Sequence, residues 1–206
     1  MRGIAAPLAL VAATVVLAAP AAQGAPSAAA ANRATYADER GEEPGSADVT
    51  SVTVSNDDDG RITFEVAIPG RPMLTQDMRI RIWLKDARGR DSFLLVDPFA
   101  PAGFAAQLYR CKPREGGLVC SPSQAANLRF SYSRGRARFA LDAEDLGLRA
   151  RSTRPARLSF WVATLAGVHY DPTAGYDLTA AHFDRAPSSD GASWTYAIRV
   201  RPPERG

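Results

Sequence analysis

The chain has 206 residues, of which 46% are hydrophobic and 23% are charged, and its formal net charge is +3 at pH 7. That length suits one domain with a substantial core. The net charge is too small to indicate nucleic acid or an anionic membrane as a partner, and the dominance of Arg over Lys is typical of a GC-rich bacterial genome.

The N-terminus predicts export. Arg2 is followed by an almost wholly apolar run over residues 4–19 and then by small residues. This order is that of a secretory signal peptide, so we expect residues 1–24 to be removed by cleavage before Ala25. An uncleaved membrane anchor is the alternative, but prolines interrupt and end the run. No later stretch is long enough to span a bilayer, so the sequence predicts a secreted, extracellular protein without stable membrane insertion.

The mature chain divides into two parts. Residues 25–47 are rich first in Ala and then in acidic residues and Gly, without periodicity, and are predicted to be a disordered or extended lead-in. Residues 48–202 are predicted to form one β-domain, which ends where Pro202 and Pro203 cannot donate to a strand ladder.

Apolar and polar residues alternate along most of the second part, which indicates strands with one buried face. Strands are predicted at 50–54, 62–68, 78–85, 93–96, 105–111, 118–121, 128–132, 136–141, 157–165 and 194–200, with a single helical turn at 143–146. About ten short strands separated by turn signals predict an all-β, antiparallel β-sandwich of the jelly-roll or immunoglobulin-like type. A closed barrel is the alternative.

The chain has only two cysteines, Cys111 and Cys120. In an oxidising compartment two cysteines this close are expected to pair. The Gly-rich turn at 115–117 lies between them, which predicts a hairpin stapled across its base by a disulfide. A zinc or redox pair would need CxxC spacing or nearby histidines, and both are missing.

Two tryptophans occupy the alternate positions of their predicted strands that point away from the main apolar face. Trp83 alternates with Arg79 and Arg81, and Trp161 lies in the predicted strand 157–165. Outward tryptophans beside arginines could stack on a sugar ring while the guanidinium groups bond its hydroxyls. The alternative is that a loop covers the rings or that a bulge shifts the parity.

The densest polar and aromatic cluster of the sequence lies at 167–184. A histidine with a carboxylate partner could serve as a general base, but no nucleophile motif accompanies it. His169, Asp171 and His182 are the candidates for a metal site, although their spacing matches no known metal motif. A long surface loop with tyrosines packed against the sheet is the favoured interpretation. No CxxCH haem motif occurs, and the sequence predicts no cofactor.

Residues 48–57 have the sequence D-V-T-S-V-T-V-S-N-D, and residues 60–66 have G-R-I-T-F-E-V. This opening, with the endings F-D-R-A-P at 183–187 and W-T-Y at 194–196, resembles a recurrent actinobacterial exported domain. That group is similar to the DOMON and family-9 carbohydrate-binding sandwiches, which bind sugars or haem through one sheet or its loops. Residues 85–91 depart from the acidic run that many members carry, so the resemblance transfers no binding residues.

The sequence therefore predicts a secreted binding module without catalytic activity, whose ligand is carbohydrate or another cell-envelope or extracellular component. This expectation depends mainly on likeness of fold. A structural or inhibitor-like protein-interaction module that presents the Cys111–Cys120 hairpin is the second hypothesis. A hydrolase that uses residues 167–184 is the third.

Overall fold

The computed structural model describes residues 32–41, 45–99, 104–148, 155–188 and 191–200. The predicted signal peptide and its cleavage site lie outside these residues. Within the described part of the chain, no helix has the length and apolar character needed to cross a membrane.

Strands dominate the described residues, as the alternation predicts. They are β1 Arg33–Ala37, β2 Ser51–Asn56, β3 Arg61–Ala67, β4 Arg79–Asp86, β5 Asp91–Val96, β6 Ala106–Arg114, β7 Gly117–Ser123, β8 Arg129–Ser133, β9 Arg136–Asp142, β10 Ala156–Ala166, β11 His169–Asp171, β12 Gly175–Asp177, β13 His182–Ala186 and β14 Trp194–Ile198. The predicted helical turn is a 3₁₀ helix, Ala143–Leu146.

The strands form two antiparallel sheets. The first has the order β1-β2-β3-β9-β8, and the second has β13-β10-β4-β5-β6-β7 with β14 also paired to β10. β13 and β14 pair with the two halves of β10 on the edge that β4 does not occupy. A small separate hairpin consists of β11 and β12. The prediction of an all-β, antiparallel, two-sheet protein is confirmed, and the sheets do not close into a barrel.

The core lies between the two sheets and is built from the inward residues of each strand. Along β3, buried Ile62, Phe64 and Val66 alternate with partly exposed neighbours. Phe64 meets Phe160 of β10 edge to face, with ring centroids 5.6 Å apart, so aromatic packing joins the two sheets directly. The inward faces predicted for the strands at 62–68 and 78–85 are confirmed.

The folded region begins earlier than the sequence predicts. Residues 33–37 of the predicted lead-in form β1, which pairs with β2 along its whole length. Tyr36 anchors this edge strand, because its ring packs on Phe160 and its hydroxyl donates to the Thr195 carbonyl at 2.7 Å. The strand has one large apolar side chain among small and polar ones, which is too little alternation to recognise in sequence.

Residues 167–184 are also more ordered than the predicted surface loop, since they contain β11, β12 and the start of β13. The Asp184 side chain turns into the protein, where it is 3% exposed and accepts a 2.7 Å hydrogen bond from the Val49 amide. Burial of a carboxylate requires such bonds, so this residue fixes β13 to the chain entering β2.

The disulfide between Cys111 and Cys120 is present, and the two residues face each other across β6 and β7 with Cα atoms 4.0 Å apart. The prediction of the bond is confirmed, but its predicted place is wrong. Strand pairing continues on both sides of it, from Leu108–Ser123 to Arg114–Gly117, so the bond lies in the middle of the hairpin and not at its base.

Replacing both cysteines with serine is expected to lower the free energy of unfolding by about 2–3 kcal/mol, because the short closed loop no longer restricts the unfolded chain. Urea unfolding of the double variant and of the wild type with and without reductant measures the effect. An unchanged midpoint would show that the hairpin does not unfold with the rest of the sandwich.

Tyr196 of β14 gives the fold a defined response to alkali. Its hydroxyl lies 2.6 Å from the Asn32 carbonyl and 2.9 Å from Asn56 Oδ1, and the residue is 4% exposed. Burial raises the pKa of Tyr196 to about 12 from its usual 10.0. The folded state therefore holds this proton more tightly than the unfolded chain.

The contribution of the Tyr196 proton to the stability of the folded state is fully present below pH 10 and is lost as the pH rises from 10 through 12. We expect the free energy of unfolding to fall over that range, and Tyr196→Phe to show a smaller fall than the wild type. Urea unfolding at pH 8 and pH 11 makes the comparison. Equal falls in both proteins would contradict the assignment.

Candidate ligand-binding face

The second sheet has one face on the core and one turned away from it, which we call the outer face. On β4 the core side carries buried Ile80, Ile82 and Leu84, and the intervening side chains point outward. Trp83 is therefore on the outer face, and Trp161 lies beside it because the two residues pair across β4 and β10.

Four aromatic side chains form a row across the outer face, one from each of four neighbouring strands. The paired residues are Trp161, Trp83, Phe93 and Tyr109. Successive ring centroids are 5.6, 4.8 and 4.6 Å apart, and the two tryptophan rings are stacked at 17°. We call these four residues the aromatic row.

Sequence reasoning identifies the two tryptophans but misses the other half of the aromatic row. Phe93 stands at the start of an apolar run, Phe93 to Val96, whose outward and inward members cannot be separated by alternation. Tyr109 joins the row only through the register between β5 and β6, which pairs it with Phe93. Pairing between strands would have to be known before either residue could be placed.

Two arginines lie against the aromatic row. The guanidinium carbon of Arg81 is 5.0 Å from the Phe93 centroid and 5.8 Å from that of Trp83, and that of Arg185 is 4.8 Å from Trp161. These distances allow cation–π attraction. Arg185 is also held by the carbonyls of Pro187 and Ala192, at 3.1 and 2.7 Å. Sequence reasoning misses it because β13 is not predicted.

Arg79 lies on the same side of β4 but is covered by the β11–β12 hairpin. It is 6% exposed, its Nε is 3.4 Å from Asp97 Oδ1, and its guanidinium lies 3.9 Å from the Tyr176 centroid. The Tyr176 hydroxyl donates to Asp97 at 2.6 Å. Burial, with this bond, raises the pKa of Tyr176, so the phenol keeps its proton. Arg79 is thus placed in a buried ion pair and not at the tryptophan surface.

A groove of about 230 Å³ opens beside the tryptophan pair. Trp83 and Trp161 line it, together with residues 191–193 of the chain that enters β14. Its polar lining comes from Lys85, Asp91, Ser159 and Arg185. Lys85 Nζ lies 3.5 Å from Asp91 Oδ1, so both charges of this pair are at the rim.

The residues of the predicted metal or general-base cluster lie on two strands, His169 and Asp171 on β11 and His182 on β13. Asp171 accepts from the Thr173 hydroxyl and from the amides of Thr173 and Ala174, and these bonds, the hydroxyl's first, lower its pKa to about 2. His169 pairs with Asp177 in the β11–β12 hairpin, and His182 lies on β13. Among the described residues, no group of three or more His, Cys, Asp or Glu is arranged to hold a metal ion.

Comparison with protein-family models, with curated proteins and with solved structures finds no match to this chain. The resemblance noted in the sequence agrees with the structure at the level of architecture, since the protein is all-β and sandwich-like with two antiparallel sheets.

Proposed function

We propose that the protein is a secreted, non-catalytic module that binds carbohydrate of the cell envelope or the extracellular medium through its outer face. The observation that carries this proposal is the stacked pair of Trp83 and Trp161 at the wall of a groove with a polar rim. Aromatic rings supply a flat apolar surface for the C–H face of a sugar, and the polar rim supplies partners for its hydroxyls.

The dimensions of the site favour a sugar chain of which a single ring lies in the groove. Pockets for drug-sized ligands measure roughly 300–1,000 Å³, and the groove is smaller, at about 230 Å³. The aromatic row continues from it across three strand spacings, about 14 Å. Phe93 is 7% exposed, whereas Trp83, Trp161 and Tyr109 are partly exposed, so ligand contact is concentrated at the tryptophan end.

Two further features support this proposal. The Cys111–Cys120 disulfide is consistent with an oxidising compartment outside the cytoplasm. The two-sheet architecture is compatible with the jelly-roll type of the carbohydrate-binding sandwiches that the sequence resembles. Likeness of fold alone does not assign function, so the tryptophan groove has the greater weight.

Tryptophan fluorescence tests the proposal directly. The chain has three tryptophans, and only Trp194 lies away from the groove, packed on Tyr36 and Phe160. Titration with a panel of soluble neutral and acidic glycans is expected to change the emission, and the response should persist in the Trp194→Phe control. No response, together with no retention on polysaccharide columns, would refute the proposal.

The β6–β7 hairpin supports the second candidate function, a protein-interaction module. Leu118 and Val119 near its tip are 47% and 56% exposed, and the disulfide restrains the strands that carry them. A restrained loop loses less entropy on docking. The double variant Leu118→Ser, Val119→Ser separates the two functions, because it should leave glycan affinity unchanged if the tryptophan groove is the site. Loss of glycan binding in this variant would place the site on the hairpin.

A further inference from the structure

The β6–β7 hairpin carries three basic side chains in line along one face, which we call the basic row. Arg110, Lys112 and Arg114 are alternate residues of β6, so their side chains lie on the same side of the strand. Leu108, two residues earlier, is 1% exposed and belongs to the core. All three residues of the basic row are exposed, so the row lies where the core-facing side of β6 continues beyond the core into solvent.

The basic row has no acidic partner. None of the ion pairs among the described residues includes Arg110, Lys112 or Arg114. Arg110 donates to the Ser123 hydroxyl at 3.1 Å and to the backbone carbonyl of residue 145, which are both neutral acceptors. Residues 106–123 contain three basic residues and one acidic residue, so the hairpin has a net charge of +2 out of +3 for the whole chain.

A groove of about 330 Å³ is lined by all three residues of the basic row. Its remaining lining comes from β7, where Val119 and Ser121 pair with Lys112 and Arg110 and therefore face the same way. Val119 is 56% exposed. In the part of the chain that the structure describes, no acidic side chain lines this groove. The groove thus combines unbalanced positive charge with an exposed apolar contact.

The spacing of the basic row matches that of an extended polypeptide. Alternate residues of a strand are about 6.6–6.8 Å apart, so the three positive charges repeat at this interval over about 13 Å. Carboxylates at alternate positions of a second extended chain repeat at the same interval and can meet the row in register. Val119 offers a contact to an apolar side chain of such a peptide, and a phosphate polymer has no apolar side chain to place there.

We propose that this groove binds an extended acidic segment of a partner protein, with carboxylates at alternate residues placed against the basic row. Each guanidinium can donate two hydrogen bonds to a carboxylate, and the Lys112 ammonium acts as a point charge. The segment lies across the side chains of the hairpin and does not extend the sheet at β7. This site is separate from the tryptophan groove, because the basic row is on the core-facing side of β6 and the tryptophans are on the outer face.

The test uses three short synthetic peptides, labelled for fluorescence anisotropy. In the first, Glu alternates with Val and Thr; the second has Gln in place of Glu; the third has the composition of the first with its Glu residues consecutive. The wild type is expected to bind the first about threefold to a hundredfold more tightly than the second, the range for three exposed ion pairs. The third should bind more weakly than the first, because consecutive side chains of a strand point to opposite faces.

A charge-reversal variant locates the binding on the hairpin. Lys112→Glu with Arg114→Glu should weaken binding of the alternating peptide at least about tenfold, because repulsion replaces attraction at two positions. Arg129→Glu with Arg138→Glu is the matched control. It makes the same change in net charge at exposed positions of β8 and β9 in the other sheet, and should change the affinity by no more than about twofold.

Thermal unfolding shows whether the reversal variant is folded. If it is not, Lys112→Gln with Arg114→Gln carries the test, with an expected loss of about twofold to thirtyfold for two exposed ion pairs. Raising the salt concentration should reduce the advantage of the glutamate peptide over the glutamine peptide, because exposed charges are screened.

Several results would overturn this inference: equal binding of the glutamate and glutamine peptides, equal binding of the alternating and consecutive peptides, or unchanged affinity in the folded reversal variant. Tighter binding of polyphosphate or polygalacturonate than of the alternating peptide would overturn the assignment of a polypeptide. The proposed function is tested independently, since the reversal variant should bind glycan as the wild type does. Absence of glycan binding would refute the proposed function and leave the peptide site standing.

Discussion

Trp161→Ala is expected to weaken glycan binding at least tenfold while the domain remains folded. The indole forms half of the stacked pair that lines the groove, so its removal takes away one of the two tryptophan rings of the site. The free energy of unfolding should fall only modestly, because Trp161 is partly exposed. Each lost ring contact is worth about 0.5–1.5 kcal/mol.

Isothermal titration with a glycan selected by the fluorescence screen measures this loss. Trp161→Phe keeps an aromatic face and should retain affinity within about threefold of the wild type, whereas Trp161→Ala should lose at least about tenfold. Unchanged affinity in the alanine variant, combined with a lower free energy of unfolding, would mean that the aromatic row acts only as cross-strand pairs that stabilise the sheet.

Phe160→Ala, one residue earlier on the same strand, is expected to have the opposite phenotype. Phe160 is 1% exposed and contacts the rings of Phe64, Tyr36 and Trp194, with centroids 5.6, 5.2 and 5.6 Å away. Its truncation should lower the free energy of unfolding by about 3–5 kcal/mol, because it leaves a cavity between the two sheets.

Urea unfolding measures the loss, and Phe104→Ala is the matched control. Phe104 is 41% exposed, so its truncation should change stability by no more than about 0.5 kcal/mol. Phe160 also belongs to the lining of the groove, but its side chain is in the core, so the fraction of Phe160→Ala that stays folded should still bind glycan. A loss below 1 kcal/mol would show that the aromatic contacts between the sheets contribute little to stability.

Local alternation predicts much of this fold correctly. β3 obeys it along its whole length and β4 obeys it from Ile80 to Lys85, because each has one face on the core and one away from it. The same parity places Trp83 and Trp161 on the outer face. The disulfide follows from the number and spacing of the cysteines, which are properties of a single short segment.

The features that sequence analysis missed or misplaced depend on contacts with residues far away in sequence. β1 and β13 are strands because β2 and β10 lie beside them, and their own sequences carry weak patterns. Arg79 has the predicted parity, yet a hairpin more than ninety residues further along the chain covers it. Arg185 reaches Trp161 only through the pairing of β13 with β10. Such contacts follow from topology, which a single sequence does not specify.

The register of the disulfide-linked hairpin also protects the open edge of the larger sheet. The Cα separation of 4.0 Å at Cys111–Cys120 is typical of a non-hydrogen-bonded pair, and these pairs alternate with bonded ones along the ladder. Tyr109–Pro122, two positions on, is therefore also non-hydrogen-bonded, so the nitrogen of Pro122 points toward the free edge. Since proline has no N–H, β7 lacks one donor for pairing with another chain, and the sheet resists growth into an intermolecular aggregate.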